Sequence, residues 1–208
     1  MTSISPQGNS LVLSGASSVG KTTLATDWTE RHSEYAHISE VARDVMKQHS
    51  LKTKDLIESL KTPEKATFLR LQELIFEEQN RREISLEGKS FISDRGPDPL
   101  AYVFLKKSAE AADELAKTSA ASECLKRYQK SLVLVLCPLA TQTDDGFRMV
   151  QDREEQEQFT RILREQLQKH GIPYIYVDET DRRQRIAFVE RAVQGMPCKK
   201  LISIFNIN

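Results

Sequence analysis

Gly15-Ala16-Ser17-Ser18-Val19-Gly20-Lys21-Thr22 decides the fold. The stretch satisfies G-x-x-x-x-G-K-S/T at every fixed position. It comes after an apolar run, Ser10-Leu11-Val12-Leu13-Ser14, which reads as a buried strand. It opens a helical pattern over residues 21–32, in which Leu24, Ala25 and Trp28 share a face. Strand, glycine loop and helix in that order are the context that gives the motif its meaning. Such a loop turns its backbone N–H groups inward, and the helix N-terminus adds partial positive charge, so together they bind phosphate. Gly15 and Gly20 permit backbone geometry that a side chain would block. Lys21 is placed to reach the β- and γ-phosphates, and the Thr22 hydroxyl to ligate Mg²⁺. A nucleoside triphosphate is the ligand this implies, held by residues 15–23: Gly15, Ala16, Ser17, Ser18, Val19, Gly20, Lys21, Thr22 and Thr23.

Working outward, apolar runs alternate with helical patterns. Residues 35–38 form a weak second strand, Ser90-Phe91-Ile92-Ser93-Asp94 a third, Leu132-Val133-Leu134-Val135-Leu136-Cys137 a fourth and residues 172–177 a fifth. Helical spacing is predicted over 41–49 and 52–61. A long helix begins at Pro63, with Phe68, Leu71, Leu74 and Ile75 as its apolar stripe. Pro97 and Pro99 break the chain after the third strand, and 109–128 reads as one alanine-rich helix. Residues 154–170 carry Phe159, Ile162, Leu163 and Leu167 on one side, and Gly171 caps them. A last helix spans 182–194; Arg182, Arg183 and Arg185 at its start read as a solvated face or a rim near a nucleotide base. Apolar strands separated by helices demand a parallel sheet covered on both faces. The fold class is therefore α/β: a P-loop NTPase of the nucleoside- or nucleotide-kinase kind, with a parallel five-stranded sheet.

Composition limits the function. Lys plus Arg and Asp plus Glu each count 30 in 208 residues, so the formal net charge is zero, which argues against a dedicated nucleic-acid binder. No apolar run approaches the roughly 20 residues that span a bilayer. The polar start carries no signal-peptide core. Cys124, Cys137 and Cys198 are an odd number without metal-ligand spacing, and Cys137 reads as a buried thiol. A reducing, cytoplasmic setting is expected. The expected organisation is a flexible 1–9, one domain over 10–195 and an apolar tail over 196–208, where Lys199-Lys200 precede Leu201-Ile202-Ser203-Ile204-Phe205. That tail reads as an added strand or packed arm, or else as a partner or membrane contact.

Open α/β sheets bind ligands at the carboxyl ends of their strands, and acidic residues fall there twice. Ser39-Glu40-Val41-Ala42-Arg43 comes after the second strand and Ser93-Asp94-Arg95-Gly96-Pro97-Asp98 after the third. Asp94 is placed either to hold Mg²⁺ or to take the proton of an attacking hydroxyl. Arg95 suits a phosphate. Glu40 and Asp98 would bind acceptor hydroxyls, or one of them would act as base; Asp98 also resembles a helix N-cap. Arg43 contributes to the acceptor side, or only pairs with Glu40. The interval Thr143-Asp144-Asp145-Gly146-Phe147-Arg148-Met149-Val150-Gln151-Asp152-Arg153 is a lid candidate, with Arg148 and Arg153 as arginines for the transferring phosphoryl group or as members of a solvated charged loop.

Taken together, the phosphate loop, S-E-V-A-R at 39–43, D-R-G-P-D-P-L-A-Y at 94–102, D-D-G-F-R at 144–148 and H-G-I-P-Y at 170–174 resemble one family. It is the AAA-like P-loop family that includes the ribosylnicotinamide kinase domain of bacterial NAD-biosynthesis regulators and related eukaryotic nucleotide-binding proteins. The resemblance runs from about residue 11 to 177. It implies a small kinase-like domain and brings Tyr102 to the substrate side. Three functions stay open: a small-molecule kinase moving the γ-phosphoryl of ATP to a hydroxyl, nucleoside-like acceptor; a nucleotide-binding switch or slow NTPase acting through protein or membrane partners; and a nucleic-acid end kinase, which the zero charge disfavours. No N-K-x-D guanine-reading signature occurs, so ATP is preferred to GTP. Oligomeric state is open.

Overall fold

The computed structural model describes residues 9–61, 66–139 and 152–195. Five strands alternate with nine described helices: β1 (Ser10–Ser14), α1 (Lys21–Arg31), β2 (Ala36–Ile38), α2 (Val41–Gln48), α3 (Thr53–Lys61), α4 (Ala66–Ser85), β3 (Phe91–Asp94), α5 (Asp98–Lys106), α6 (Ala109–Lys117), α7 (Ser119–Tyr128), β4 (Leu132–Leu136), α8 (Arg153–Lys169), β5 (Tyr174–Val177) and α9 (Arg182–Val193). The sheet order is β2-β3-β1-β4-β5. Every neighbouring pair is parallel, and Leu13 stands opposite Asp94 across β1 and β3.

All of β3, and all but the first residue of β1 and of β4, are buried. Their side chains alternate between the two faces, so burial without alternation means that both faces are covered. On one side α1 packs with α9; α4 to α8 form a second connected group. Trp28, Tyr128, Phe76 and Phe159 are the largest fully buried side chains of the core. Each such side chain contributes about 1.5–3 kcal/mol by leaving water. A smaller cluster of Ile38, Val41, Val45, Leu71 and Phe91 ties α2 and α4 to the β2–β3 edge. Among the described residues no helix is long and apolar enough to cross a membrane.

Two expectations are corrected. Pro97 and Pro99 do not break the chain; they start α5, with Pro97 at its N-cap and Pro99 within the first turn. Proline is harmless there because first-turn N–H groups lack intrahelical partners. Residues 109–128 are two helices, not one. Thr118 leaves the helical region (φ −59, ψ 149), and its hydroxyl donates back to the Leu115 carbonyl, closing α6. Pro63, the tail from 196, residues 1–8 and the interval 140–151 lie outside the described residues.

The connection after β1 leads to β2, on one side, and that after β3 leads to β4, on the other. The order thus reverses beside β1, and the loops ending β1 and β3 face each other across the resulting crevice, where ligands of such sheets bind.

Candidate active site

The phosphate loop leaves β1 through Gly15, whose φ is +141. A Cβ there would stand 2.9 Å from the Leu136 carbonyl oxygen of the neighbouring strand, so only glycine fits. Ser18 (φ +60) and Gly20 (φ +85) also adopt left-handed backbone. Gly20 is the N-cap of α1, which has no side-chain cap and no acidic residue in its first turn. No carboxylate of the helix itself therefore competes for its N-terminal dipole.

Three cationic or amide side chains restrain the loop's carbonyls. Lys21 Nζ donates to Gly15 O at 2.8 Å and to Ala16 O. Gln156, on α8, donates to Ser17 O at 3.0 Å, and Arg185, on α9, to Val19 O at 2.7 Å. Arg185 is 5% exposed, so the expected solvated face or rim at 182–185 is corrected for this residue. Arg182 binds Asp27 of α1 at 2.8 Å. The sequence reading missed Gln156, and it named Arg185 only as part of a solvated face or a nucleotide-side rim. Its usable signal was helical register, since Gln156 shares a face with Phe159 and Leu163, and Arg185 with Val189.

Burial drives Lys21 down to about 7, and the nearby Arg95 charge adds to the effect against Asp98, Asp94 and Glu40. The Thr22 hydroxyl donates to Asp94 Oδ2 at 2.5 Å, bringing a hydroxyl and a carboxylate to one point at the mouth of the loop. These are oxygen ligands of the kind Mg²⁺ takes. Among the described residues no cluster of three or more His, Cys, Asp or Glu side chains is placed to hold a metal ion. A divalent ion here would draw its remaining ligands from phosphate and water.

Across the crevice, β2 and β3 deliver an ion-pair set. Arg95 Nε donates to Glu40 Oε1 at 2.7 Å and its Nη1 to Asp98 Oδ1 at 3.1 Å. Glu40 also accepts from Arg43 Nε at 2.9 Å. The Arg95 guanidinium lies 6.0 Å from the Tyr102 ring centroid, and that ring packs on Phe159 at 4.5 Å. Burial alone would lower Arg95; the charges of Glu40, Tyr102, Asp98 and Asp94 hold it well above its ordinary value. Burial pushes the Tyr102 hydroxyl up. Asp98 is 1% exposed, and Pro97, not Asp98, occupies the N-cap. Its carboxylate accepts from Ser14 Oγ at 2.6 Å, Gly15 N at 3.2 Å and Gly96 N at 3.1 Å besides Arg95. It therefore links the β3 corner to the phosphate loop. Gly96 has no room for a side chain, since a Cβ would stand 2.3 Å from Val12 Cγ1.

Lys21, Thr22, Asp94, Arg95, Glu40, Asp98 and Tyr102 thus converge, and Arg43 joins through Glu40. Thr23 is exposed beside Thr22 on α1. Arg153 is exposed and pairs with Glu157 at 2.9 Å along α8. Arg148 and the remainder of the lid candidate lie outside the described residues.

The AAA domain family matches residues 10–185, a span that contains this whole constellation. The chain belongs to this AAA domain family. NadR protein in complex with NR is a structural neighbour, with a TM-score of 0.67 at 19% identity over 93% of this chain and 54% of that one. The chain thus spans about half the length of the NadR chain. Thymidylate kinase from Candida albicans matches with a TM-score of 0.58 at 16% identity, over 92% and 93% of the two chains. Shikimate kinase from Acinetobacter baumannii in complex with shikimate matches at 0.54 and 13% identity, over 90% and 94%. These likenesses are of fold. No curated protein matches the sequence. The AAA domain found here is the family that the sequence motifs resembled, and its P-loop kinase-like sheet is the fold expected.

Proposed function

We propose that this AAA domain is a small-molecule kinase that moves the γ-phosphoryl of ATP to a hydroxyl, nucleoside-like acceptor with the help of Mg²⁺. One observation carries the reading: a phosphate loop opening a helix with no side-chain cap, with Lys21 and a Thr22–Asp94 pair, stands beside a Glu40–Arg95–Asp98 corner that Asp98 ties to the loop through Ser14 and Gly15. A triphosphate in the loop and a polar acceptor in the corner would put their reacting atoms between them. The kinase-like neighbours NadR, thymidylate kinase and shikimate kinase support the same division.

Each residue then has a task. Lys21 turns from the carbonyls of Gly15 and Ala16 to the β- and γ-phosphates. Gln156 and Arg185 keep the carbonyls of Ser17 and Val19 turned away, so the loop's N–H groups face the anion. Thr22 and Asp94 would hold Mg²⁺, which supplies charge neutralisation when bound. Glu40, paired with Arg95 and Arg43, orients Arg95 toward the acceptor. Phosphoryl transfer through a loose transition state asks little of a base and much of positioning. Arg148 is the proposed lid arginine. ATP rather than GTP, and a cytoplasmic setting, belong to the same reading.

A screen of nucleosides and other small polyols with γ-labelled ATP tests it. Transfer of label to one acceptor much faster than to water is the expected result. Hydrolysis alone, altered only by a protein partner, would replace the kinase with a nucleotide switch.

A further inference from the structure

Helix α4 buries polar side chains where the stripe should be apolar: Gln72, Gln79 and Glu83 are 5%, 2% and 1% exposed. Two of them lead to Arg95. Gln79 Nε2 donates to Glu83 Oε1 at 2.7 Å and to Ser93 Oγ at 2.8 Å, which uses both of its hydrogens. The Ser93 hydroxyl therefore accepts from Gln79 and spends its own hydrogen on the Arg95 carbonyl, at 2.8 Å. At the far end, Glu83 accepts from Tyr128 Oη and from Arg127 Nε, both at 3.0 Å, so α7 fixes it in place. Arg95 itself has φ +114, a backbone conformation that residues with a side chain avoid. Its neighbour Gly96 is sealed between Val12 and Tyr128.

Burying a carboxylate and an amide is unfavourable unless every donor and acceptor is matched. An apolar face would fill the same volume without that cost. The polar chain ends on the carbonyl of the strained residue. Without Ser93 and Gln79, that carbonyl could turn back toward the sheet, and the guanidinium would swing away from Glu40 and Asp98.

We propose that Gln79 and Glu83 are positioning residues that hold Arg95 in its left-handed conformation, so that helix α4 aims the guanidinium from behind. This rests on the reading of the β3 corner as the acceptor side, but its test needs no acceptor. The probe is the Arg95 Nε–H resonance of ¹⁵N-labelled full-length protein, assigned with Arg95→Lys, together with affinity for Mg-ATP. The variants are Gln79→Leu, which keeps volume without donors, and Ser93→Ala, which removes one hydroxyl and carries the test if the first fails to fold. Both should speed exchange of that proton with water at least about tenfold, since its ion pair opens more often. Mg-ATP affinity should stay within about twofold, and the double variant should exchange no faster than the worse single one, as members of one chain do. An Arg95 signal unchanged in both variants overturns the proposal. So does an equal loss of protection in Leu167→Ala, a core variant away from the chain, because general loosening would then suffice. If the proton responds as expected while no acceptor is ever phosphorylated, the positioning chain stands and the kinase reading falls.

Discussion

On the β1 side of the crevice the backbone is shaped by glycines and by Ser18, the side chains around it restrain carbonyls, and on the proposed reading its N–H groups are what a phosphate would meet. On the β3 side the groups proposed to meet the acceptor are side chains, and the backbone beneath Arg95 is held under strain by Ser93. The first region is a shape that any triphosphate fits, because phosphate oxygens are alike. The second is a set of charges whose spacing depends on three elements at once. A loop of the first kind tolerates change in its surroundings so long as the braces remain. If the corner binds the acceptor as proposed, a single side chain there would be enough to change it.

The comparison breaks most sharply at Lys21. Replacing it with Ala should weaken triphosphate binding and turnover about a hundredfold or more, because the one side-chain charge inside the loop is lost. Calorimetry checks the binding; unchanged affinity would mean that the backbone alone binds phosphate. Asp94→Asn should separate the two regions. Turnover should fall roughly a hundredfold, with Mg-ATP affinity changed only a few-fold, since metal positioning matters most in the transition state. Equal losses in both would place Asp94 in ground-state binding instead. Gly96→Ala should cost about 1–3 kcal/mol in denaturant unfolding, because its Cβ meets Val12 at 2.3 Å. Gly171→Ala, whose Cβ would meet nothing within 4 Å, should lose less, and only through its φ of +63. If the two lose equally, steric closure of the β3 corner is not what glycine supplies at 96.

The smallest effect is in pH. Lys21 falls from 10.5 to about 7 in the folded protein. Between those values the unfolded chain holds a proton that the folded one lacks, so stability rises with pH across the window and the whole cost of burying the charge is present below 7. A triphosphate recharges the amine. Its binding should therefore take up a fraction of a proton near pH 8 and weaken by at most about tenfold per pH unit above 7. Titrations in buffers of different ionisation enthalpy measure the uptake. Lys21→Arg should flatten the slope, and a slope that persists in that variant would assign it to the nucleotide.

The strands and the phosphate loop were legible because each is local: an apolar run needs no partner to be recognised, and the glycine spacing is itself the geometry. Helix α5 was misread because Pro97 and Pro99 stop a helix everywhere except in its first turn, and nothing nearby says which case holds. The break at Thr118 hides in an alanine-rich run whose propensity favours helix on both sides. Glu40, Asp94 and Arg95 were found as residue types at strand ends, but the Glu40–Arg95 ion pair joins positions 55 apart and the Thr22–Asp94 hydrogen bond positions 72 apart. Gln79, Glu83 and Gln156 escaped, and the role of Arg185 with them, because polar residues on an apolar face look like interruptions until their partners are known. Their register with Phe76, Phe159 and Val189 was present all the same.

The Arg185 contact has a consequence in time. Its donor and the Val19 carbonyl are 166 residues apart. During synthesis at about 5–20 residues per second, the loop leaves the ribosome on the order of ten seconds or more before its brace exists. A nascent chain ending before α9 therefore carries the whole glycine motif, with the Lys21 and Gln156 contacts but without the Arg185 brace on the Val19 carbonyl. On the proposed reading, full nucleotide affinity arrives late in synthesis, and a released fragment lacking residues 182–193 should bind ATP more weakly than the whole chain.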